Sequence, residues 1–317
     1  QNFKKAVMQK FNNLIQATQY FSNPETCVEY LTNLRWSNGV TCAHCNHDKV
    51  YTLKGATKRY KCASCRKQFS VTKGTIFENS AISLQKWFIA IYLLTSHKKG
   101  ISSMQLAKDM GITQKSAWFM LQRIRFALQT KSFNVPVLEN TVECDETYIG
   151  GKNKNRHASK KVANSQGRSV KDKTPVFGLV ERNGRVIAMK VTDTTKGTIQ
   201  PLIHKHVSSD ANVMTDEWLA YRGLNKSFNH SVVNHGTGEY VKGIAHTNTI
   251  EGFWSLLKRG IVGIYHQVSV KHLDLYVDEF EFRYNTKEKS EFERFENMLS
   301  LSNKRLTYSN LINYGNN

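Results

Sequence analysis

Hydrophobic residues recur every three or four positions in two parts of the chain, residues 1–38 and residues 81–130. This spacing matches the 3.6-residue repeat of an α-helix and predicts amphipathic helices. In the first part, Asn23 and Pro24 suit the N-cap and the first turn of a helix. We therefore predict an N-terminal helical segment over residues 1–38 and a helical block over residues 81–130.

The pattern changes after Pro136, where apolar and polar residues begin to alternate, as they do in half-buried strands. Asn183-Gly184 is a strong turn signal between two of these strands. Together with intervening helical spacings, the alternation predicts an α/β region over residues 138–300, followed by a polar tail over 301–317. The predicted strands cover 141–150, 175–182, 185–192, 212–217 and 231–235, and the predicted helices cover 196–206, 247–259 and 270–284.

Residues 151–174 separate the first two of these strands and carry eight Lys or Arg residues, one acid and almost no apolar side chains. Such a segment cannot bury itself, so we expect a mobile loop. Two interpretations stay open, a solvated linker or a loop that contacts phosphates. For the second, Lys160 and Lys161 are candidate DNA-binding residues.

The net charge of +20 favours a polyanionic partner such as nucleic acid, although a merely basic soluble protein would have the same composition. No run of about eighteen apolar residues occurs, so we expect no membrane span. Four of the six cysteines are clustered in pairs, which is typical of metal binding in a reducing cytosol rather than of a disulfide framework.

Two Cys-x-x-Cys pairs, Cys42/Cys45 and Cys62/Cys65, are separated by sixteen residues. Four thiolates at this spacing can surround one Zn²⁺ ion, and the alternating segment between them predicts a β-hairpin. We interpret residues 39–75 as a zinc ribbon that needs the metal to fold and has no open coordination position for catalysis. Its basic residues Lys58, Arg59, Arg66 and Lys67 are candidates for phosphate contact.

Residues 101–128 have the pattern of a helix-turn-helix, in which Gly111 turns the chain and Thr113 caps the second helix. The second helix of this motif enters the major groove of DNA. A plain helical hairpin is the alternative, but the zinc ribbon and the positive charge favour DNA binding. On this interpretation the second helix presents outward Gln114, Lys115, Gln122, Arg123 and Arg125.

Three acids are candidates for catalysis, namely Asp145, Asp216 and Glu251. Each has an ordinary structural explanation: solvent exposure for the first, a helix N-cap for the second, and a capping partnership with Asn248 for the third. Considered together, two carboxylates on strands and a third on a later helix supply the oxygen ligands for two Mg²⁺ ions about 3.5–4 Å apart.

The third acid lies in HTNTIEGFWSLLKRG, residues 246–260, whose apolar positions predict an amphipathic helix. Lys258 follows Glu251 by nearly two turns, so both side chains share a face, where the lysine can neutralise a phosphate. Asn248 lies on the same face. Gly252 weakens a helix by about 1 kcal/mol, which indicates a close approach at this position.

These motifs resemble those of the DDE transposases of bacterial insertion sequences, in particular the ISXO-type group related to the Merlin elements. The similarity runs from about residue 30 to residue 285, which is most of the chain. The matching stretches are LRWSNGVTCAHC, YKCASCRKQFSVTKGTIF, ECDETYIGG, TDEWLAY and the long segment that begins HTNTIEGFWSLLKRG.

The resemblance implies a multidomain α+β protein, with N-terminal helices, a zinc ribbon and a helix-turn-helix ahead of an RNase H-like catalytic domain. It places Asp145 on the first strand of that domain and Asp216 after the fourth. These two residues and Glu251 would bind two Mg²⁺ ions, for which Mn²⁺ can substitute, and Lys258 would be the motif lysine. Asn248 is the alternative third residue, although a carboxylate holds Mg²⁺ more firmly than an amide does. Arg259, next to the lysine, is a further candidate for DNA contact.

The implied activity is cleavage of the transposon ends and joining of the 3′ ends to target DNA by two-metal phosphoryl transfer. The implied partners are double-stranded terminal inverted repeats and target DNA, and a homodimer or larger homo-oligomer would hold both ends. The protein would act in the cytoplasm, at the bacterial nucleoid. Two alternatives stay open: an RNase H-like nuclease without strand transfer, and a catalytically dead, transposase-derived DNA-binding regulator.

Overall fold

The computed structural model describes residues 10–55, 58–129, 137–151, 153, 157–163, 171–233 and 246–314. The chain forms two compact units, Gln1–Leu128 with Lys289–Asn313 and Gln129–Glu288 with Tyr314–Asn317. Along the sequence, the second unit is therefore inserted into the first. None of the helices in the described ranges has the length and apolar character needed to cross a membrane.

Helices dominate the first part of the chain, and strands and helices alternate in the rest. The strands and helices expected between residues 141 and 284 are all present, with ends shifted by at most three residues. The helices are α1 (Leu14–Tyr20), α2 (Pro24–Arg35), α3 (Leu84–Ser96), α4 (Ser103–Met110), α5 (Gln114–Leu128), α6 (Lys196–His206), α7 (Asn248–Gly260), α8 (Leu273–Asn285), α9 (Glu291–Ser300) and α10 (Tyr308–Ile312). The strands are β1 (Val50–Leu53), β2 (Arg59–Cys62), β3 (Gln68–Ser70), β4 (Thr141–Ile149), β5 (Thr174–Glu181), β6 (Val186–Lys190), β7 (Asn212–Asp216) and β8 (Asn229–Val233).

Aromatic side chains from the N-terminal helices, α3 and α9 form the core of the first unit. The ring of Phe21 lies 4.9 Å from that of Phe88, and the ring of Phe11 lies 5.3 Å from that of Phe295, centroid to centroid. All four side chains are buried. Edge-to-face pairs of this kind stabilise a core by about 0.5–1.5 kcal/mol each beyond the area they bury. As predicted, α2 begins with Asn23 as its N-cap.

The C-terminal helices belong to the first unit, which differs from the expected boundaries of 138–300 for the catalytic region and 301–317 for a tail. The second unit ends at Glu288, and residues 289–313 return to the first. The physical reason is the apolar face of α9, which is buried in the first unit's core. Its buried residues are Phe292, Phe295, Met298 and Leu299.

The turn between α4 and α5 has the chemistry that the sequence predicts. Gly111 adopts a left-handed conformation with φ of 58°, which favours glycine. The Oγ1 atom of Thr113 accepts a hydrogen bond of 3.2 Å from the backbone N–H of Ser116 and so caps α5. At the start of that helix, Gln114 and Lys115 are exposed.

The outward orientation expected for Gln122, Arg123 and Arg125 is wrong, because all three side chains are buried. The guanidinium of Arg123 instead donates hydrogen bonds of 2.9–3.2 Å to the backbone carbonyl oxygens of Ile76, Glu78 and Leu306. A buried arginine with three acceptors ties loops to the core and is not available to DNA. Gln122 and Arg123 are therefore no longer candidates for DNA contact.

A five-stranded sheet, with the order β6-β5-β4-β7-β8, forms the centre of the second unit. β4, β5 and β6 pair antiparallel, whereas β7 runs parallel to both β4 and β8. This is the RNase H-like arrangement that we expect, with Asp145 in the first strand of the sheet and Asp216 at the end of the fourth. The predicted mixed α+β fold class is confirmed.

Helices cover both faces of this sheet. α6 packs on one face, where Ile199 meets buried residues that include Cys144 of β4. α7 and α8 pack on the other face through residues such as Phe253 and Phe280. Side chains along a strand point alternately to its two faces. Because Cys144 faces α6, the next residue, Asp145, faces α7.

We expect Phe295→Ala to lower the free energy of unfolding of the first unit by about 3–5 kcal/mol, because it leaves a cavity among packed aromatic rings. Thermal unfolding followed by circular dichroism measures the change. The control is Ile312→Ala, at a position that is 42% exposed, where the change should stay within about 0.5 kcal/mol. Equal effects of the two substitutions would exclude α9 from the core.

Candidate active site and metal centre

Four cysteine side chains converge in the first unit, beside the antiparallel sheet β1-β2-β3. Their Sγ atoms all lie within 4.8 Å of one another, with Cys42 and Cys65 3.6 Å apart and Cys45 and Cys62 3.7 Å apart. A tetrahedron with Zn–S bonds of about 2.3 Å has edges of about 3.8 Å, so the cluster has the size of a zinc site. Among the described residues, no other set of three or more potential ligands is this close.

Backbone groups around the cluster favour thiolates, which are the form that binds zinc. The N–H of His44 donates to Cys42 Sγ and the N–H of Cys65 donates to Cys62 Sγ, both at 3.4 Å. Burial raises the pKa of Cys62, but the N–H groups of Cys65 and Ser64 and the adjacent thiols outweigh burial and lower this pKa to about 6. Donor set and hydrogen bonds thus fit a structural zinc ion.

In the second unit, the predicted catalytic side chains line one cleft of about 530 Å³. The register of the parallel strands β4 and β7 pairs Glu143 with Met214, and an acid follows two residues later on each strand. Adjacent parallel strands therefore bring Asp145 and Asp216 to the same edge of the sheet. The cleft is also lined by Glu251, Lys258 and Arg259 of α7.

Asp145 lies on β4, is half-buried and lines the cleft. Its Oδ2 atom accepts a hydrogen bond of 3.0 Å from the indole N–H of Trp254. Burial is the main cause that raises its pKa to about 6, and the negative charges of Asp216 and Glu251 raise it further, against the hydrogen bonds from Glu146 N–H and the indole. The raised pKa of Asp145 thus reflects a desolvated carboxylate with two acids nearby, an environment that a bound cation would stabilise.

Asp216 is not the N-cap of an α-helix, which was its ordinary structural explanation, because a 3₁₀ turn with Trp218 as its N-cap follows β7. Its Oδ1 atom accepts a hydrogen bond of 2.9 Å from the backbone N–H of Trp218, and a 3₁₀ turn at Leu219–Tyr221 follows. This bond fixes the turn at the end of β7. The same side chain lines the cleft, so the turn also orients the carboxylate toward it.

Glu251 and Asn248 occupy different positions on α7. Asn248 is the first residue of the helix and Thr247 its N-cap, so the capping partnership expected between Glu251 and Asn248 is not formed. Glu251 Oε1 instead accepts a hydrogen bond of 3.2 Å from the Thr247 hydroxyl. Glu251 lines the cleft and Asn248, which is exposed, does not.

The three acids form a looser group than the four cysteines. Within the described part of the chain, the close ligand group is the cysteine cluster, so the carboxylate oxygens of Asp145, Asp216 and Glu251 do not all lie within 4.8 Å of one another. All three are nevertheless carboxylates that line one cleft, and carboxylate oxygens are the donors that Mg²⁺ prefers.

The remaining candidates for DNA contact lie on several surfaces. Lys58 and Arg59 line a second cleft, of about 550 Å³, together with Lys73 of the first unit. The ammonium of Lys115 lies 5.5 Å from the centre of the Tyr308 ring. Other exposed candidates are Arg66, Lys67, Lys161 and Arg259.

Of the 24 residues of the basic loop over 151–174, the structure describes 13. Its interpretation as a mobile, phosphate-contacting loop falls partly on residues outside the described ranges, and the junction at Pro136 lies outside them too. Of Lys160, only the backbone, at the end of a 3₁₀ turn, is described.

Trp254 and Gly178 contribute to the site, and the sequence analysis did not assign them this role. In the sequence, Trp254 is one of several apolar positions with helical spacing. Such spacing predicts that the side chain is buried, but it does not predict that the indole N–H donates a hydrogen bond. Gly178 pairs with Asp145 across β4 and β5. A Cβ atom at Gly178 would lie 2.6 Å from the Trp254 ring, so only glycine lets the indole reach the acid.

Comparisons with known proteins bear on the same segments. A family model described as ISXO2-like transposase domain matches residues 137–285, and one described as transposase zinc-ribbon domain matches residues 22–68. A protein of the transposable element ISH50 from Halobacterium salinarum is 32% identical over 274 residues, which is 83% of this chain and 91% of that protein.

Among solved structures, the strand transfer complex of Mos1 shares 14% identity at a TM-score of 0.29, over 69% of this chain and 79% of that chain. The intasome of simian T-cell lymphotropic virus, with a PP2A regulatory subunit B56 gamma, shares 14% identity at a TM-score of 0.28, over 61% of this chain and 65% of that chain. TM-scores this low do not establish a common fold, so the relationship rests on the sequence matches.

We expect Cys62→Ser to abolish the binding of one zinc ion and to unfold the ribbon, because three thiolates cannot close the tetrahedron and the ribbon has a small core. Zinc content measured by mass spectrometry, together with hydrogen exchange of residues 42–70, checks both effects. Cys27→Ala removes a buried thiol outside the cluster and should keep the zinc. Zinc retained at the wild-type level in Cys62→Ser would contradict the site.

We expect Gly178→Ala to lower the free energy of unfolding by about 1–3 kcal/mol, because the added methyl group overlaps the Trp254 ring. Urea unfolding of the pure protein measures it. The close approach expected at Gly252 is not observed, because a Cβ there meets nothing within 4 Å. Gly252→Ala is therefore a matched control, in which a helical alanine should stabilise by up to about 1 kcal/mol. No difference between the two variants would mean that the indole does not pack as described.

Proposed function

The chain belongs to the ISXO2-like transposase family, and on that premise we propose that it cuts DNA at the ends of an insertion sequence and joins the freed 3′ ends to target DNA. The family resemblance deduced from the motifs is confirmed by the sequence matches. The observation that carries the proposed reaction is the convergence of Asp145, Asp216 and Glu251 on one cleft.

Asp145, Asp216 and Glu251 are the residues that would hold two Mg²⁺ ions, or Mn²⁺ in their place. When bound, such ions lower the pKa of an attacking water and offset the charge that develops on the phosphodiester. The protein's own contribution is to fix the carboxylates. Trp254 orients Asp145, and the N–H of Trp218 orients Asp216.

Two cations of α7 would hold the DNA beside these acids. Lys258 and Arg259 line the same cleft and are exposed, so both can reach a phosphate. The Arg259 guanidinium is already oriented by a 3.2 Å hydrogen bond from its Nε to the carbonyl oxygen of Ser255. Positive charge at this rim draws the backbone of the DNA toward a pocket that its own acids would otherwise repel.

The first unit would bind the transposon ends. The zinc ribbon supplies Lys58, Arg59, Arg66 and Lys67, and the start of α5 supplies Lys115, all of them exposed. Because both ends must be held during joining, the active form would be a homodimer or a larger homo-oligomer on double-stranded DNA. With reduced, zinc-binding cysteines and DNA as partner, the protein would act in the bacterial cytoplasm, at the nucleoid.

Two other outcomes are distinguishable by assay. A nuclease without strand transfer would cut the ends but fail to join a pre-cut end to target DNA. A catalytically dead regulator would bind the ends and show no Mg²⁺-dependent nicking. Joined product from a pre-cut end, formed only with Mg²⁺ or Mn²⁺, supports the transposase.

We expect Asp145→Asn, Asp216→Asn and Glu251→Gln each to lower end cleavage on the order of a thousandfold or more, because each removes a charged metal ligand. End binding should persist, since it would use the first unit. Gel-based cleavage and fluorescence anisotropy on the same labelled end measure the two properties.

The matched control is Glu217→Gln. It neutralises the acid next to Asp216, and Glu217 is not among the residues that line the cleft. Asn248→Ala tests the alternative third residue and should leave cleavage within a few-fold of wild type. Cleavage that survives in Asp216→Asn, or that disappears in Asn248→Ala while Glu251→Gln remains active, would contradict the assignment.

A further inference from the structure

Glu143 is a fully buried carboxylate that the reaction described above does not use. It lies on β4 two residues before Asp145, is 0% exposed, and does not line the cleft. A buried carboxylate needs several hydrogen bonds or an ion pair to offset its loss of hydration. The partners that Glu143 uses therefore show what it does in the fold.

Three of these partners are at the start of α7. Glu143 Oε2 accepts hydrogen bonds from the backbone N–H groups of Thr249 and Ile250, at 2.8 and 3.0 Å, and Oε1 accepts one from the Thr249 hydroxyl at 2.9 Å. The first N–H groups of a helix have no acceptor within the helix. The side chain of Thr247, the N-cap residue, makes no capping hydrogen bond. Glu143 thus caps α7 from the sheet.

Arg182 completes the arrangement. Its Nε donates to Glu143 Oε1 at 2.7 Å, and its guanidinium also donates to the carbonyl oxygen of His246 at 2.9 Å. His246 lies just before the helix, and its Nδ1 is 3.2 Å from Glu143 Oε1. The chain entering α7 is therefore held to the same carboxylate as the helix itself.

The hydrogen bonds of Glu143 lie beside two of the candidate metal ligands. On the strand, Glu143 is two residues from Asp145; on the helix, Ile250 is adjacent to Glu251. The apolar face of α7 fixes the helix against the sheet, but apolar contacts are not directional and specify its axial position weakly. Hydrogen bonds to a single carboxylate specify it to a few tenths of an ångström.

We propose that Glu143 is a positioning residue, which sets the separation between the carboxylates of Asp145 and Glu251 and thereby the affinity of the cleft for divalent cations. This inference rests on the proposed function for the identity of the metal ligands. Metal sites lose affinity when ligands are displaced by about 0.5 Å, and residues that orient ligands typically change affinity 10–100-fold when mutated.

A purely stabilising role would also explain a buried ion pair, so the experiment includes a carboxylate of matched burial. Glu279 of α8 is likewise 0% exposed, and it is hydrogen-bonded to Arg283 and to the Tyr265 hydroxyl. Both of these partners lie outside the start of α7. Substitution of either glutamate breaks a buried ion pair, but only Glu143 links the strand acid to the helix acid.

The experiment measures Mn²⁺ binding to the full chain by isothermal titration calorimetry, with the zinc site loaded and Asp145→Asn as the blank for the cleft. We expect Glu143→Ala to raise the Kd for Mn²⁺ at least about tenfold and to raise the Mg²⁺ concentration for half-maximal cleavage in proportion. Glu279→Gln should lower the melting temperature and leave the Kd unchanged.

Two milder substitutions allow the proposal to be tested even if Glu143→Ala does not fold. Glu143→Gln keeps an acceptor oxygen but loses the charge, and Thr249→Val removes only the hydroxyl contact; both should raise the Kd less than Glu143→Ala. Folded variants at position 143 that bind Mn²⁺ as tightly as wild type would overturn the inference. Wild-type protein that binds Mn²⁺ in the cleft without cutting DNA would instead overturn the proposed function, and the effect of Glu143 on the Kd would still be measurable.

Discussion

The burial of one amphipathic helix, α7, against the central sheet is the interaction on which the candidate site depends. Ile250, Phe253 and Leu257 are fully buried there, and side chains of this kind contribute about 1.5–3 kcal/mol each. That burial holds Glu251 beside the same cleft as the two strand acids, although desolvation of Asp145 and the negative charges of Asp216 and Glu251 disfavour its ionised form and raise its pKa. Apolar packing therefore offsets an electrostatic cost that a divalent cation would remove.

Attraction of DNA and binding of metal ions would depend on charges in different parts of the protein. The chain as a whole carries +20, which attracts DNA over a range that salt limits to about 8–10 Å. The cleft itself concentrates acids, with Lys258 and Arg259 at its rim. Long-range attraction is thus a property of the whole surface, whereas the close approach of a phosphodiester to Asp145 and Asp216 would require metal ions.

The sequence predicted what periodicity and local chemistry determine, namely the strands and helices of the second unit, the cysteine pairs and the acids. It could not predict features that depend on partners distant in the chain. Arg123 looked like an exposed DNA-binding residue because its acceptor Leu306 is 183 residues away. The C-terminal helix α9 looked like part of the catalytic region for the same reason. Glu143 was not singled out from the sequence, since its contacts lie 106 and 107 residues along the chain.

The insertion of the second unit into the first has a consequence for synthesis on the ribosome. Domains usually fold as their residues emerge, from the N-terminus onward. Here the aromatic core around Phe11 and Phe21 lacks Phe295 until Gln129–Glu288 of the second unit have been translated. The second unit has then already left the ribosome, so the ribbon-bearing unit is the last to mature. A nascent chain that stops early would lack part of that unit's interior, and prematurely terminated products would make poor competitors of the full-length protein.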